Sequence, residues 1–179
     1  DSEDRRRYIN ARNTLTELLR LGAVPLINEN DTVATDEIRF GDNDRLAARV
    51  AAMISADLLI VLSDIDGLYT ANPQLDPDAT FVPEVHGVIT PEIEAMAGAQ
   101  LSGDSRGGMV TKLQAAKLAA RSGCSTVIVG GRNPKILTAV ANGEDVGTLL
   151  SATQQPIAAR KQWLAGQLQV KGQLILDSG

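Results

Sequence analysis

Leu58-Leu59-Ile60-Val61-Leu62-Ser63-Asp64-Ile65-Asp66-Gly67 decides how this chain folds. Five apolar residues in a row, with no polar residue at alternate positions, form a strand buried on both faces, as strands of a parallel sheet are. The run stops in a polar turn, so Ser63, Asp64 and Asp66 stand at the carboxyl end of a strand. In open α/β sheets that is where ligands bind.

Working outward, helical spacing of Ile9, Leu15, Leu18 and Leu19 predicts a helix over residues 3–21, closed by Gly22 in the left-handed conformation. Residues 24–27, Val-Pro-Leu-Ile, read as a second buried strand that ends in Asn28-Glu29-Asn30-Asp31. Gly41-Asp42-Asn43-Asp44 supplies an Asp or Asn cap for a helix running to Ile54. Downstream, Asn72-Pro73 and Asp76-Pro77 signal turns before a less regular stretch through Phe81 and Val85. Pro91 opens a helix over 91–97. A small, glycine-containing loop spans 98–108, a helix 109–121 ends at Ser122-Gly123, and a third strand covers 126–129. A helix over 134–141 and a short strand over 147–150 follow. Strand and helix alternate, so the class expected is α/β, a mainly parallel sheet sandwiched by helices and covered on both faces. Residues 156–167 read as helical, and 170–176 alternate like a strand with no evident partner.

Composition narrows the function. The chain has 179 residues, 44% of them hydrophobic and 22% charged, with a net charge of −5, which is ordinary for a globular domain. Aromatic residues make up 3% and are scattered singly, and the charge balance is acidic; both disfavour nucleic acid as a partner of this segment. One Cys and one His cannot build an internal disulfide or a His/Cys metal cluster. Any metal would be held by oxygens, which suits Mg²⁺. No apolar stretch is long enough to span a bilayer and nothing reads as a signal peptide, so a cytoplasmic location is expected. The chain opens inside a helix without Met, the pattern of a piece of a larger domain.

The strand exits gather a pattern. Asn28 to Asp31 follow one strand and Ser63, Asp64 and Asp66 another; Asp42, Asn43 and Asp44 open one helix, and Gly107-Gly108-Met109-Val110-Thr111-Lys112 opens a second. Glycines before a helix N-terminus expose backbone N–H groups to an anion, and a Lys just inside adds a point charge. Carboxylates beside such a helix point to Mg²⁺-dependent phosphoryl transfer. Each element alone also reads as an ordinary turn, a helix cap or a solvated lysine. The usual fingerprints are absent: no G-x-x-x-x-G-K-[ST], no G-x-G-x-x-G, no G-x-S-x-G and no H-E-x-x-H.

Read in order, residues 24–31, Gly41-Asp42-Asn43-Asp44, Leu62-Ser63-Asp64 with Gly67-Leu68-Tyr69-Thr70, and Gly107 to Lys112 closely resemble the glutamate 5-kinases, a branch of the amino acid kinase family, over residues 5–150. The resemblance implies ATP-dependent phosphorylation of the side-chain carboxylate of L-glutamate, giving L-glutamyl 5-phosphate at the first step of proline biosynthesis. Acetylglutamate and uridylate kinases share the Ser/Thr-Asp and Lys signals and stand as alternatives, as does a non-catalytic amino-acid sensor; Lys112 and Asp44 favour an enzyme. By resemblance Lys112 stabilises the transferring phosphoryl group and Asp44 orients the catalytic lysines. Asn28, Asp31 and Asn43 would hold the amino acid. Ser63, Asp64, Arg106, Gly107, Gly108, Met109, Val110, Thr111 and Lys112 would bind the nucleotide, with ATP and Mg²⁺ as cofactors. A homotetramer and feedback inhibition by proline are further implications.

Two departures from the family pattern stand out. Arg106 replaces a small residue before the glycine pair, and Ser63 replaces the commoner Thr while keeping the hydroxyl. The family's first strand, with its phosphate-contacting Lys, has no counterpart ahead of Asp1. The expected organisation is therefore the C-terminal portion of an amino acid kinase domain over 1–153, a linker helix over 154–171, and over 172–179 the opening strand of a PUA-like domain. This piece alone is expected to be inactive.

Overall fold

The computed structural model describes residues 5–28, 42–99 and 108–152. Asp31, Arg106 and Gly107, the helix expected over 156–167, the strand expected over 170–176 and both C-terminal domain pieces lie outside the described residues. In chain order the elements are α1 (Arg5–Arg20), α2 (Asp42–Ile54), β1 (Leu58–Ser63), β2 (Leu68–Tyr69), β3 (Phe81–Val82), β4 (Glu84–His86), α3 (Pro91–Ala99), α4 (Met109–Ala120), β5 (Ser125–Gly130), α5 (Ile136–Ala141) and β6 (Thr148–Ser151). Five α-helices and the strands expected at 58–62, 126–129 and 147–150 fall within a few residues of their predicted bounds.

The main sheet has the order β1-β5-β6-β4. β1 runs parallel to β5 in the register Leu58↔Ser125 through Ser63↔Gly130. β4 is parallel to β6, while β6 is antiparallel to β5, so the sheet is mainly parallel with one reversed pairing. β2 and β3 form a small antiparallel hairpin over the stretch that reads as irregular in the sequence. Strands of two residues are too short to show a period, which is why the pattern alone does not reveal them.

The core lies where α2 and α4 pack on one another and on the sheet. Ala48 and Ala51 of α2 and Ala115, Ala116 and Ala119 of α4 are buried, and such small side chains let two helices approach closely. Leu59 and Val61 of β1, Leu113 of α4 and Ile128 of β5 fill the space between these layers. Full burial of each Leu or Ile contributes about 1.5–3 kcal/mol. α1 ends on Gly22 (φ 75°): Gly22 N–H donates to Leu19 O and Ala23 N–H to Leu18 O, a Schellman closure that satisfies carbonyls the helix leaves open.

Two expectations are corrected. Residues 24–27 form no strand, and Val24 and Leu26 are fully exposed. A strand exists only through hydrogen bonds to a neighbour, and among the described residues none pairs with this run. Cover of the sheet is also uneven. β5 is buried on both faces, whereas Leu58 and Leu62 of β1 are about half exposed on the face turned from α4.

Candidate active site

Geometry brings two helix N-termini to the strand exits. α2 joins β1 through residues 55–57 and α4 joins β5 through 121–124, so each helix runs back along its strand. Thirteen helical residues and six extended ones both cover about 20 Å. The first turns of α2 and α4 therefore stand level with Ser63 and Gly130, the last residues of the parallel pair.

Asp44 in the first turn of α2 and Lys112 in the first turn of α4 meet there. Lys112 Nζ lies 3.4 Å from Asp44 Oδ2. The two side chains retain only 12% and 18% exposure, so solvent screens the pair far less than it would a surface salt bridge. Thr111 Oγ1 is 2.8 Å from the same Asp44 oxygen and 2.9 Å from Gly108 O. Gly108 itself caps α4 in an extended conformation without any side-chain hydrogen bond. The positive end of the helix dipole thus lies beside the lysine, and both favour an anion.

At the second exit Ser63 is buried, and its hydroxyl donates to Asp64 Oδ1 at 3.2 Å. Asp64 is exposed. Gly131 N–H donates to Ser63 O at 2.7 Å, which ties the exits of β1 and β5 together. The approach is close: a Cβ on residue 131 would stand 3.2 Å from Leu62 Cβ, a contact that a side chain there could make only if its neighbour gave by a few tenths of an ångström. Beyond it the Tyr69 hydroxyl donates to the Asp66 carboxylate, and the Tyr69 ring packs edge-on against Phe81 with centroids 5.3 Å apart. Burial and the neighbouring Asp66 carboxylate raise the Tyr69 pKa, so the hydroxyl keeps its proton and remains a donor.

The sequence-derived residues separate into groups. Asp44, Thr111 and Lys112 are in contact. Ser63 and Asp64 stand at the β1 exit, Asn43 is exposed on the first turn of α2, and Asn28 is exposed after α1. The Met109 side chain is in the core and Val110 packs against it, which leaves their backbone as the part able to face a ligand. Sequence reading missed the glycine pair at 130–131, although two glycines after a buried strand run are a legible sign of close approach. As for Mg²⁺, no group of three or more His, Cys, Asp or Glu among the described residues could hold an ion. Asp44 is engaged by Lys112 and Thr111, and Asp64 and Asp66 lie in the turn that follows β1. Among the described residues these carboxylates form no cluster of three that would hold an ion by protein ligands alone.

Comparison with known proteins adds the lineage. The model of the amino acid kinase family matches residues 1–130. The chain belongs to the amino acid kinase family. Over all 179 residues this chain is 60% identical to a protein named glutamate 5-kinase from Rhizobium rhizogenes (strain K84 / ATCC BAA-868), covering 46% of that relative. Proteins of the same name from Nitrosococcus oceani and Pseudomonas syringae pv. tomato are 57% and 56% identical over the whole chain, which covers 48% of each. The chain spans about half the length of the curated relatives it matches. A solved UMP kinase from Bacillus anthracis aligns with a TM-score of 0.57 at 15% identity, over 80% of this chain and 52% of that one. Likeness at that identity shows the shared amino acid kinase fold. Among the described residues no helix is long and apolar enough to cross a membrane.

Proposed function

We propose that the protein carrying this chain transfers the γ-phosphoryl group of ATP to the side-chain carboxylate of L-glutamate, the entry step to proline. The observation that carries this reading is the Lys112–Asp44 pair set between two helix N-termini, in a chain that shares more than half its residues with the glutamate 5-kinases along its whole length. A carboxylate is already a nucleophile at neutral pH, so no general base is needed. Its oxygen forms a bond to the γ-phosphorus as the bond from phosphorus to the ADP oxygen breaks. Negative charge shifts towards the β-phosphate, and catalysis consists of alignment and charge neutralisation.

Each residue has a part in this scheme. Lys112, held by Asp44, meets the charge that develops on the moving phosphoryl group. The backbone of Gly107 and Gly108 and the first turn of α4 cradle the phosphates, with Arg106 as an added cation, while Ser63 and Asp64 bind the nucleotide at the β1 exit. Asn28, Asp31 and Asn43 take the α-ammonium and α-carboxylate of glutamate. ATP is used with Mg²⁺, whose ligands would lie in phosphate oxygens and residues other than those grouped above. The chain supplies the C-terminal part of the kinase domain over 1–153, followed by a linker at 154–171 and the start of a PUA-like domain at 172–179. Homotetramer formation, inhibition by proline and a cytoplasmic location complete the proposal.

A direct assay tests it. Full-length protein is expected to form ADP only when glutamate is present, and Lys112→Ala to lower kcat by about 10²–10³-fold, the usual cost of removing a transition-state charge partner. Faster turnover of acetylglutamate or UMP than of glutamate, or an unaffected Lys112→Ala enzyme, would refute the assignment.

A further inference from the structure

Thr111 belongs, by resemblance, to the nucleotide-binding segment, yet its hydroxyl is turned to the protein. We propose that Thr111 is a positioning residue that fixes the Asp44 carboxylate and, through it, the direction of the Lys112 ammonium. The proposal rests on the phosphoryl-transfer reading above.

The distances rank the contacts on one oxygen. Asp44 Oδ2 is 2.8 Å from Thr111 Oγ1 and 3.4 Å from Lys112 Nζ. A charge-assisted N–H···O bond normally measures about 2.7–2.9 Å, so the lysine is held loosely and the threonine tightly. A hydroxyl has one proton, and Thr111 faces Gly108 O at 2.9 Å as well as the carboxylate. The ionised acceptor binds a donated proton about twice as strongly as a neutral carbonyl. With the proton on Asp44, the hydroxyl takes one acceptor site of Oδ2 at short range and the ammonium meets the same oxygen only at 3.4 Å. Lys112 is then oriented by one long hydrogen bond and Coulomb attraction, while its two other N–H donors can turn to the phosphoryl oxygens. Consecutive residues of α4 thus divide the work: Thr111 sets the carboxylate and Lys112 meets the substrate. A helical threonine divides between two χ1 rotamers, and Thr111 occupies one that places Oγ1 within reach of both the i−3 carbonyl of Gly108 and the Asp44 carboxylate.

Steady-state kinetics of the full-length protein test this. Thr111→Val keeps the shape and removes the hydroxyl. It is expected to lower kcat about tenfold, with KM for ATP and glutamate within about twofold, since the lost contact aligns a group that acts in the transition state. Thr111→Ser should recover most of the loss. A rise in KM for ATP with kcat intact would make Thr111 a nucleotide contact and overturn the proposal, as would a Ser variant as slow as the Val variant. Thermal denaturation of Thr111→Val, Asp44→Asn and the double variant supplies a readout independent of substrate. Shifts in Tm that fall short of additive support the contact, and additive shifts refute it. A protein without glutamate-dependent turnover whose Tm shifts are still non-additive refutes the functional reading and retains the Thr111–Asp44 hold.

Discussion

One hydroxyl locks the β2–β3 hairpin to the main sheet, and Thr148→Val should release it. Thr148 is wholly buried on β6. Its Oγ1 accepts the Leu68 N–H at 2.8 Å and donates to Val82 O at 2.7 Å. Leu68 and Val82 are opposite one another in the hairpin, so the hydroxyl inserts between backbone groups that face each other across it. Valine keeps the shape of threonine but leaves a buried donor and a buried acceptor unpaired. Each unpaired group costs about 1–3 kcal/mol; partial relaxation, in which the two backbone groups close on each other, brings the total to about 2–4 kcal/mol. The Thr148→Ser variant keeps both bonds and loses one methyl, at about 1 kcal/mol. Urea denaturation read by the midpoint at constant m separates these values. Amide exchange at Leu68 supplies a local readout, and Thr148→Val should speed it by at least about tenfold. A Thr148→Val protein within about 0.5 kcal/mol of the parent, or a Ser variant as unstable as the Val variant, would refute the reasoning.

Two other outcomes follow from the packing around β5 and β6. Gly147 has φ 74°, and a Cβ there would stand 2.3 Å from Ile128 O, so Gly147→Ala should destabilise by about 3 kcal/mol or more, read from the denaturation midpoint; near-neutral behaviour would be inconsistent with the close approach of β6 to β5. Burial, with the Asp57 carboxylate nearby, pushes the Cys124 thiol from its usual value of 9.0 up to about 11. A raised folded pKa makes that stability fully present below pH 9 and lost as pH rises towards 11; thiol alkylation at pH 8 should therefore wait for unfolding, and rapid labelling of the native protein would contradict it.

Some of the architecture is written in local chemistry. The Leu58–Leu62 run and the glycines that end helices act over a few residues, so their elements fall close to where the pattern puts them, whereas Asp42, Asn43 and Asp44, expected to supply the cap of α2, lie within its first turn. The hairpin of β2 and β3 and the strand β4 have no such local mark, because their bonds come from residues distant in the chain. Residues 24–27 show the converse, since a run with every local feature of a buried strand is exposed when no neighbour pairs with it. At the site, the Gly107-to-Lys112 and Gly41-to-Asp44 wording singles out Lys112 and Asp44, but their contact joins residues 68 positions apart.

By itself the sequence determined the α/β class, the helices and the central strand, and which residue types stand at strand exits, because periodicity, caps and glycine placement act through the backbone nearby. The tertiary structure decided the reversed pairing of β6, the open face of β1 and the sharing of one Asp44 oxygen by Thr111 and Lys112. Each of these depends on which distant groups come within hydrogen-bond reach. That follows from how α2 and α4 pack against the sheet, and no local pattern records it.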